Sequence, residues 1–393
     1  MVVIYPVLEL KDIIYAHRYG WLSALTEVTE GVMLRPEAML GEIFKSGETI
    51  KEYLVQEYGL PRELLNKLKI MLDHGINTTG FRNFFGLDKT PRNLVEVYSR
   101  LGVDMGIAFD VPARLHLSAA IDIALDGNAN VYVDESVRNI IEEIAKIIRE
   151  QVKDYLNGTS KPRIRQKVRE RAMAIVKDDS NVRELLVKLS RVSVEETVRR
   201  LEEMVEYAHR LGFGGLVPVV QGLFNEDIDY CVRNTIEIMS RFNKEFLIAI
   251  GTGGRILSRE DVEKIRFAIN KIREYAGKNG VGVKIHLLGW SSPNTLWDTD
   301  ILRNIYSADS LSARRRAVEG RIYMENEGSI KLIHVKQLND INCECPVCRD
   351  PTLKAYVLDP SGERKNDARI IHNIYVITKF LNDQLKSKAN NRN

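Results

Sequence analysis

Short apolar runs rich in β-branched residues recur along the chain. Between them lie longer stretches in which apolar residues return every three or four positions. The runs KIMLD (69–73), DMGIAFD (104–110), GLVPVVQG (215–222), EFLIAIG (245–251), VKIHLLG (283–289) and IYSAD (305–309) are predicted strands. PRNLVEVYSRLG, VEETVRRLEEMVEYAHRLG and SREDVEKIRFAINKIREYAGKNG are predicted amphipathic helices. Strands alternating with helices imply a parallel sheet. Six or more such units in 393 residues favour a (β/α)8 TIM barrel over a doubly wound sheet. The chain offers neither G-x-G-x-x-G after its first strand nor G-x-x-x-x-G-K-[ST], and the glycine-rich IGTGGR fits neither pattern.

Several predicted strands end in polar residues: Asp73, Asp110, Gln221 with Gly222, Gly251, and Asp309. In a parallel barrel the C-terminal strand ends share one face, where active sites sit. Singly, each is most simply a cap or turn residue. Together, three carboxylates and an amide can converge on one pocket, one carboxylate attacking, one moving protons, and an Asp–Gln pair reading a flat polar ring.

Cysteine usage adds a second feature. Three of the four cysteines, Cys343, Cys345 and Cys348, fall within six positions, and His372 follows in RIIHNIY. Three thiolates and an imidazole match tetrahedral Zn²⁺, and a closed shell of this kind is structural rather than catalytic. ARIIHNIYVITKFLNDQL has helical periodicity, so zinc would pin a C-terminal helix to the cysteine-rich turn. Cys231 lies far off in sequence and is expected in the core.

Bulk numbers change the picture little. Hydrophobic residues make up 44% and charged residues 28%, enough for a sizeable core and too ordered a composition for disorder. A net charge of +3 means that any nucleic-acid surface must be local. No apolar stretch is long enough to span a bilayer, and sparse cysteine points to a reducing, cytoplasmic setting. The region 128–205 is long and charged, and KPRIRQKVRERAMAIVK (161–177) is either a solvated helix or a phosphate-contacting one. The expected organisation is a barrel over 1–330 with a helical insertion at about 128–205, a zinc-binding subdomain over 331–385, and a frayed tail over 386–393.

In these motifs and in their order, the chain resembles the tRNA-guanine transglycosylase superfamily. The Cys-x-Cys-x-x-Cys with distant His matches that family's zinc signature. VDMGIAFDVP is similar to its base-binding segment, VPVVQGLFNEDI to its VQG segment, IAIGTGG to its AIGG strand end, and IHLLGWSSPNTL to its LMGVGTP turn. YSADSLSARR resembles the segment carrying the nucleophile, and IMLDHGINTTGF more weakly resembles TDSGGFQ. The resemblance implies a (β/α)8 barrel that exchanges a guanine in a polynucleotide for a free 7-deazaguanine such as preQ0 or preQ1. It makes Asp309 the nucleophile and Asp73 the proton carrier. It puts Asp110, Gln221 and Gly222 on the base edge, with backbone groups of Gly251 and Thr252 lining the pocket. Arg314, Arg315 and Arg316 would grip phosphates beside the nucleophile, or form a solvated helix start.

The departures are specific. His74 and Ile76 stand where the family has Ser and Gly, SARRR replaces a proline-containing segment, and the first forty residues show no strand of the family's type. No room remains after the zinc site for the extra RNA-binding domain of the archaeal enzymes. These departures narrowly favour DNA over tRNA as the polynucleotide. The alternatives are a tRNA enzyme of queuosine or archaeosine biosynthesis, a non-catalytic scaffold subunit, and a zinc-stabilised barrel with unrelated sugar chemistry. The resemblance also implies a homodimer.

Overall fold

Alternation of inward and outward residues along short strands builds a barrel. The computed structural model describes residues 2–75, 80–129, 133–156, 162–251, 259–289, 298–326 and 328–390. Its strands are β1 (Val3–Leu8), β2 (Gly31–Leu34), β3 (Lys69–Leu72), β4 (Met105–Ile107), β5 (Leu216–Val217), β6 (Val219–Val220), β7 (Glu245–Gly251), β8 (Gly282–Leu288) and β9 (Ser307–Ser310). They form one sheet in the order β5-β4-β3-β2-β1-β9-β8-β7-β6. Every neighbouring pair in it is parallel. The two ends of that order, β5 and β6, are separated in the chain only by Pro218, so the sheet is a nearly closed barrel. Proline has no N–H to give, but the Pro218 carbonyl still accepts from the Ala249 amide at 2.8 Å.

Tyr5, Val7, Met33, Met71, Ile107, Val217, Val219 and Ala249 come from successive strands and form one apolar cluster inside the ring. The residues between them face the surrounding helices, where Ile4, Leu34, Leu72, Ile248 and Leu287 join the larger core. Gly106 is required by this arrangement, because a Cβ there would lie 2.1 Å from the Tyr98 ring.

All six predicted strands are present, with GLVPVVQG split at its proline. Two further strands, absent from the predicted six, lie in the first forty residues: β1 pairs with β2 on one side and β9 on the other. Pro6 inside β1 removes a ladder donor and disguises a central strand.

Four helices follow β4: α1 (Ala113–Asp126), α2 (Arg138–Leu156), α3 (Pro162–Asp178) and α4 (Ser180–Leu211). They have their own apolar core, including Ile121, Ile144, Ile148, Ala172 and Leu189. From its middle onward α4 contributes Val194, Leu201 and Met204 to the barrel's core and so joins the two. The basic stretch lies on α3. There Arg169 pairs with Asp122 at 2.8 Å, while Lys167, Arg171 and Lys177 are exposed.

After β9 come α5 (Ser312–Val318), the antiparallel hairpin β10 (Arg321–Asn326) and β11 (Ser329–His334), the short α6 (Pro346–Arg349), and α7 (Arg369–Asn390). The helix runs to Asn390, where a frayed tail was expected from Lys386. The Val2 amide donates to Asn382 Oδ1 at 3.1 Å, so β1 begins against α7. Among the described residues no helix is long and apolar enough to cross a membrane.

Candidate active site and metal centre

Because the strands are parallel and in register, Asp73, Asp110, Gln221, Gly251 and Asp309 lie on one rim of the barrel. Asp309 sits within β9 and is 5% exposed. Its Oδ1 accepts from the Gly289 amide at 2.7 Å and lies 3.3 Å from His286 Nε2. The other ring nitrogen, Nδ1, is 2.8 Å from Ser307 Oγ. A carboxylate accepts, so Nε2 donates to it and Nδ1 takes the serine proton. Among the described residues nothing bonds Asp309 Oδ2.

Asp73 directly follows β3, and its amide donates to the Leu34 carbonyl at 2.9 Å. It is the most open of the three carboxylates, with Arg35 Nε 4.0 Å away. Asp110 is buried, and His74 Nε2 lies 2.8 Å from its Oδ1. These charges share one field. Burial pushes the Lys89 ammonium down to about 8, while Asp73 and Asp110 pull it the other way. Burial also raises the Tyr98 phenol well above its ordinary value, and both carboxylates add to that.

Gln221 is braced on both sides. Its Nε2 donates to the Val111 carbonyl at 2.7 Å and to Thr197 Oγ1 at 3.2 Å, while its Oε1 accepts from the Ala113 amide at 3.1 Å. It therefore holds the segment after Asp110 rather than projecting a free amide. Gly222 presses on the helix that follows, since a Cβ there would stand 3.0 Å from the Ile228 amide. Gly251 ends β7 with Gln221 beside it, and a Cβ there would lie 3.5 Å from the Gln221 Cβ. Thr252, Ile76 and the stretch 290–297 lie outside the described residues.

The arginines divide. Arg314 is committed to the fold: Nε donates to Asp12 Oδ2 at 2.6 Å and Nη2 pairs with Glu9 at 2.8 Å, tying α5 to the helix Leu10–Arg18. Arg315, with its side chain 61% exposed, is held among the described residues only by Glu319 on its own chain segment, at 3.1 Å. Arg316 also pairs with Glu319, at 2.8 Å. The expectation of three phosphate-gripping arginines is thus reduced by the short α5, which turns Arg314 inward.

Sequence reasoning passed over His286 and Lys89, and took His74 only as a departure. His286 carried a signal, a polar residue at an alternating position of an apolar strand. Lys89 carried none, because DKTP reads as an ordinary helix approach.

Cys343, Cys345, Cys348 and His372 come together as expected, with all ligand atoms within 4.8 Å of one another. His372 Nδ1 lies 3.6 Å from Cys345 Sγ and 3.4 Å from Cys348 Sγ. The S···N edge of a tetrahedral zinc site is about 3.5 Å, given Zn–S near 2.3 Å and Zn–N near 2.0 Å. Donor set and spacing therefore fit a metal ion, and zinc in particular. The Nε2–H of His372 donates to the Tyr323 carbonyl at 2.9 Å, which leaves Nδ1 as the ligand. The next residue, Asn373, accepts from the Tyr323 amide at 2.9 Å and donates to the Ala313 carbonyl at 3.1 Å. One turn of α7 thus fixes the ligand, the hairpin and α5. Cys231 is buried in the core, and burial pushes its thiol up to about 12.

No protein-family model matches this chain, and no curated protein matches it.

Proposed function

We propose that the chain is a guanine transglycosylase, exchanging a guanine in a polynucleotide for a free 7-deazaguanine such as preQ0 or preQ1. The observation that carries this reading is the state of Asp309: one oxygen is held by Gly289 and His286, and the other is unbonded among the described residues at the barrel rim. Supporting it are Asp73 and Asp110 on the same rim, and the order of the motifs. The two strand segments around Pro218, counted as one strand, would make the ring eight-stranded, which supports reading it as a (β/α)8 barrel.

The target nucleotide leaves its stack and enters the mouth. Asp309 Oδ2 attacks C1′ of the sugar as the C1′–N9 bond breaks, forming a glycosyl ester and releasing guanine, which takes a proton from Asp73. The transition state is oxocarbenium-like, and a carboxylate is suited to stabilise it. The incoming deazaguanine gives its ring N–H proton to Asp73 and attacks C1′, releasing Asp309. Asp110 accepts from the N–H edge of the base. Cys343, Cys345, Cys348 and His372 would hold a zinc ion that braces the lobe behind α5, its closed four-ligand shell leaving no position for substrate. DNA is narrowly preferred to tRNA as substrate, with the exposed face of α3 offering phosphate contacts.

The test is incorporation of labelled guanine into double-stranded DNA and bulk tRNA in parallel, with Asp309→Asn beside the parent. Exchange and a denaturant-stable protein–nucleic acid adduct are expected in the parent and absent in the variant. Label entering tRNA alone makes it a tRNA enzyme. Label in neither, with fold and metal intact, sinks the catalytic reading and leaves a scaffold subunit. An adduct that survives Asp309→Asn removes Asp309 as nucleophile.

A further inference from the structure

Asp110 does not stand alone on the rim. His74 is 3% exposed, with its Nε2 2.8 Å from Asp110 Oδ1. On the far side of the ring, Lys89 Nζ lies 3.4 Å from Nδ1. The lysine is fixed from a third direction, 5.0 Å over the Phe109 ring, and the Phe109 and His74 rings are 5.8 Å apart. A lysine side chain approaching an imidazole carries its protons toward it, so Nδ1 accepts. An imidazole that accepts at Nδ1 carries its hydrogen on Nε2, where it meets a carboxylate oxygen. The row therefore has a direction, from Lys89 to His74 to Asp110.

We infer that His74, oriented by Lys89, is a positioning residue that occupies Oδ1 of Asp110 and leaves Oδ2 to receive an N–H of the incoming base. This rests on the proposed reading of Asp110 as the base acceptor. A carboxylate with one oxygen anchored cannot swing, so its second oxygen is presented at a fixed angle before the base arrives. Neither Lys89 nor His74 need touch the sugar. Their loss is felt in recognition of the free base and not in attack on C1′.

Two measurements test this. The first does not need activity. In protein labelled with ¹⁵N in its histidine rings, long-range ¹H–¹⁵N spectra are expected to show His74 as the Nε2–H tautomer, and Lys89→Met is expected to weaken that preference. An Nδ1–H tautomer in the parent, or a tautomer indifferent to Lys89→Met, overturns the inference. The second is steady-state exchange with varied free base. His74→Ala is expected to raise KM for the base about 10- to 100-fold, the effect of losing one hydrogen bond to a charged group. Its kcat should stay within about threefold, and His74→Gln, which restores an N–H donor, should recover most of the KM. An unchanged KM in His74→Ala, or a fall in kcat alone, overturns it. Should the parent show no exchange, the functional reading falls, and the tautomer measurement alone decides whether Lys89 and His74 hold Asp110.

Discussion

Replacing Gln221 separates a brace from a base reader. Gln221→Met keeps the length and bulk of the side chain and removes both hydrogen-bonding groups. In the native structure Nε2 supports the Val111 carbonyl and Oε1 the Ala113 amide. Thr197 is not stranded by the change, since its hydroxyl still donates to the Ser193 carbonyl and accepts from the Val111 amide. Two backbone groups in a buried turn therefore lose a partner. Each costs about 1–3 kcal/mol when left unpaired, so the variant is expected to lose about 2–6 kcal/mol of stability. The assay is urea unfolding followed by far-UV circular dichroism and by tryptophan fluorescence, with slopes compared to confirm a like-for-like transition. A loss below about 1 kcal/mol, with a large rise in KM for the base, would refute the brace and return Gln221 to the base edge.

Two other perturbations probe the remaining parts. Cys345→Ser removes one of four ligands and is expected to abolish stoichiometric zinc by atomic emission and to lower the unfolding temperature. Structural zinc supplies on the order of 10 kcal/mol in isolated peptide sites, and less here because apolar burial also holds α7; zinc retained at one per chain would count against the assignment. Lys89, lowered to about 8, is about half neutral at pH 8, where an ordinary lysine is under about 1% neutral. Followed by NMR through its side-chain ¹³Cε shift, Lys89 should therefore titrate well below the exposed lysines, and a midpoint shared with theirs would contradict the depressed value.

The barrel was legible because six short runs rich in apolar residues, which make up β3 to β9, alternate with amphipathic helical stretches. β1 was not, because Pro6 falls inside it, and β2 was not, because nothing local separates GVML from the apolar helical stretches on either side of it. The metal ligands were legible as spacing alone, since chemistry fixes their residue types. The rim carboxylates were legible as positions but not as environments. Nothing local in VPVVQG states that the glutamine turns back on Val111 and Ala113, and nothing in DKTP states that Lys89 reaches His74. Arg314 shows the same limit, because its partners Asp12 and Glu9 lie some three hundred residues away. Pairing across such separations is set by the ring closing on itself.

That closure has a consequence for how the chain is made. β1 emerges first, yet one of its two edges waits for β9, whose Ser307 lies opposite Val3. At about 5–20 residues per second, a ribosome needs about 15–60 s to cover that distance. Throughout that interval an apolar strand has an unpaired edge. The helices α1 to α4, with a core of their own, can condense meanwhile. The barrel's folding is thus dominated by contacts distant in sequence, which makes it slow and leaves its first strand as the segment most in need of shelter during synthesis.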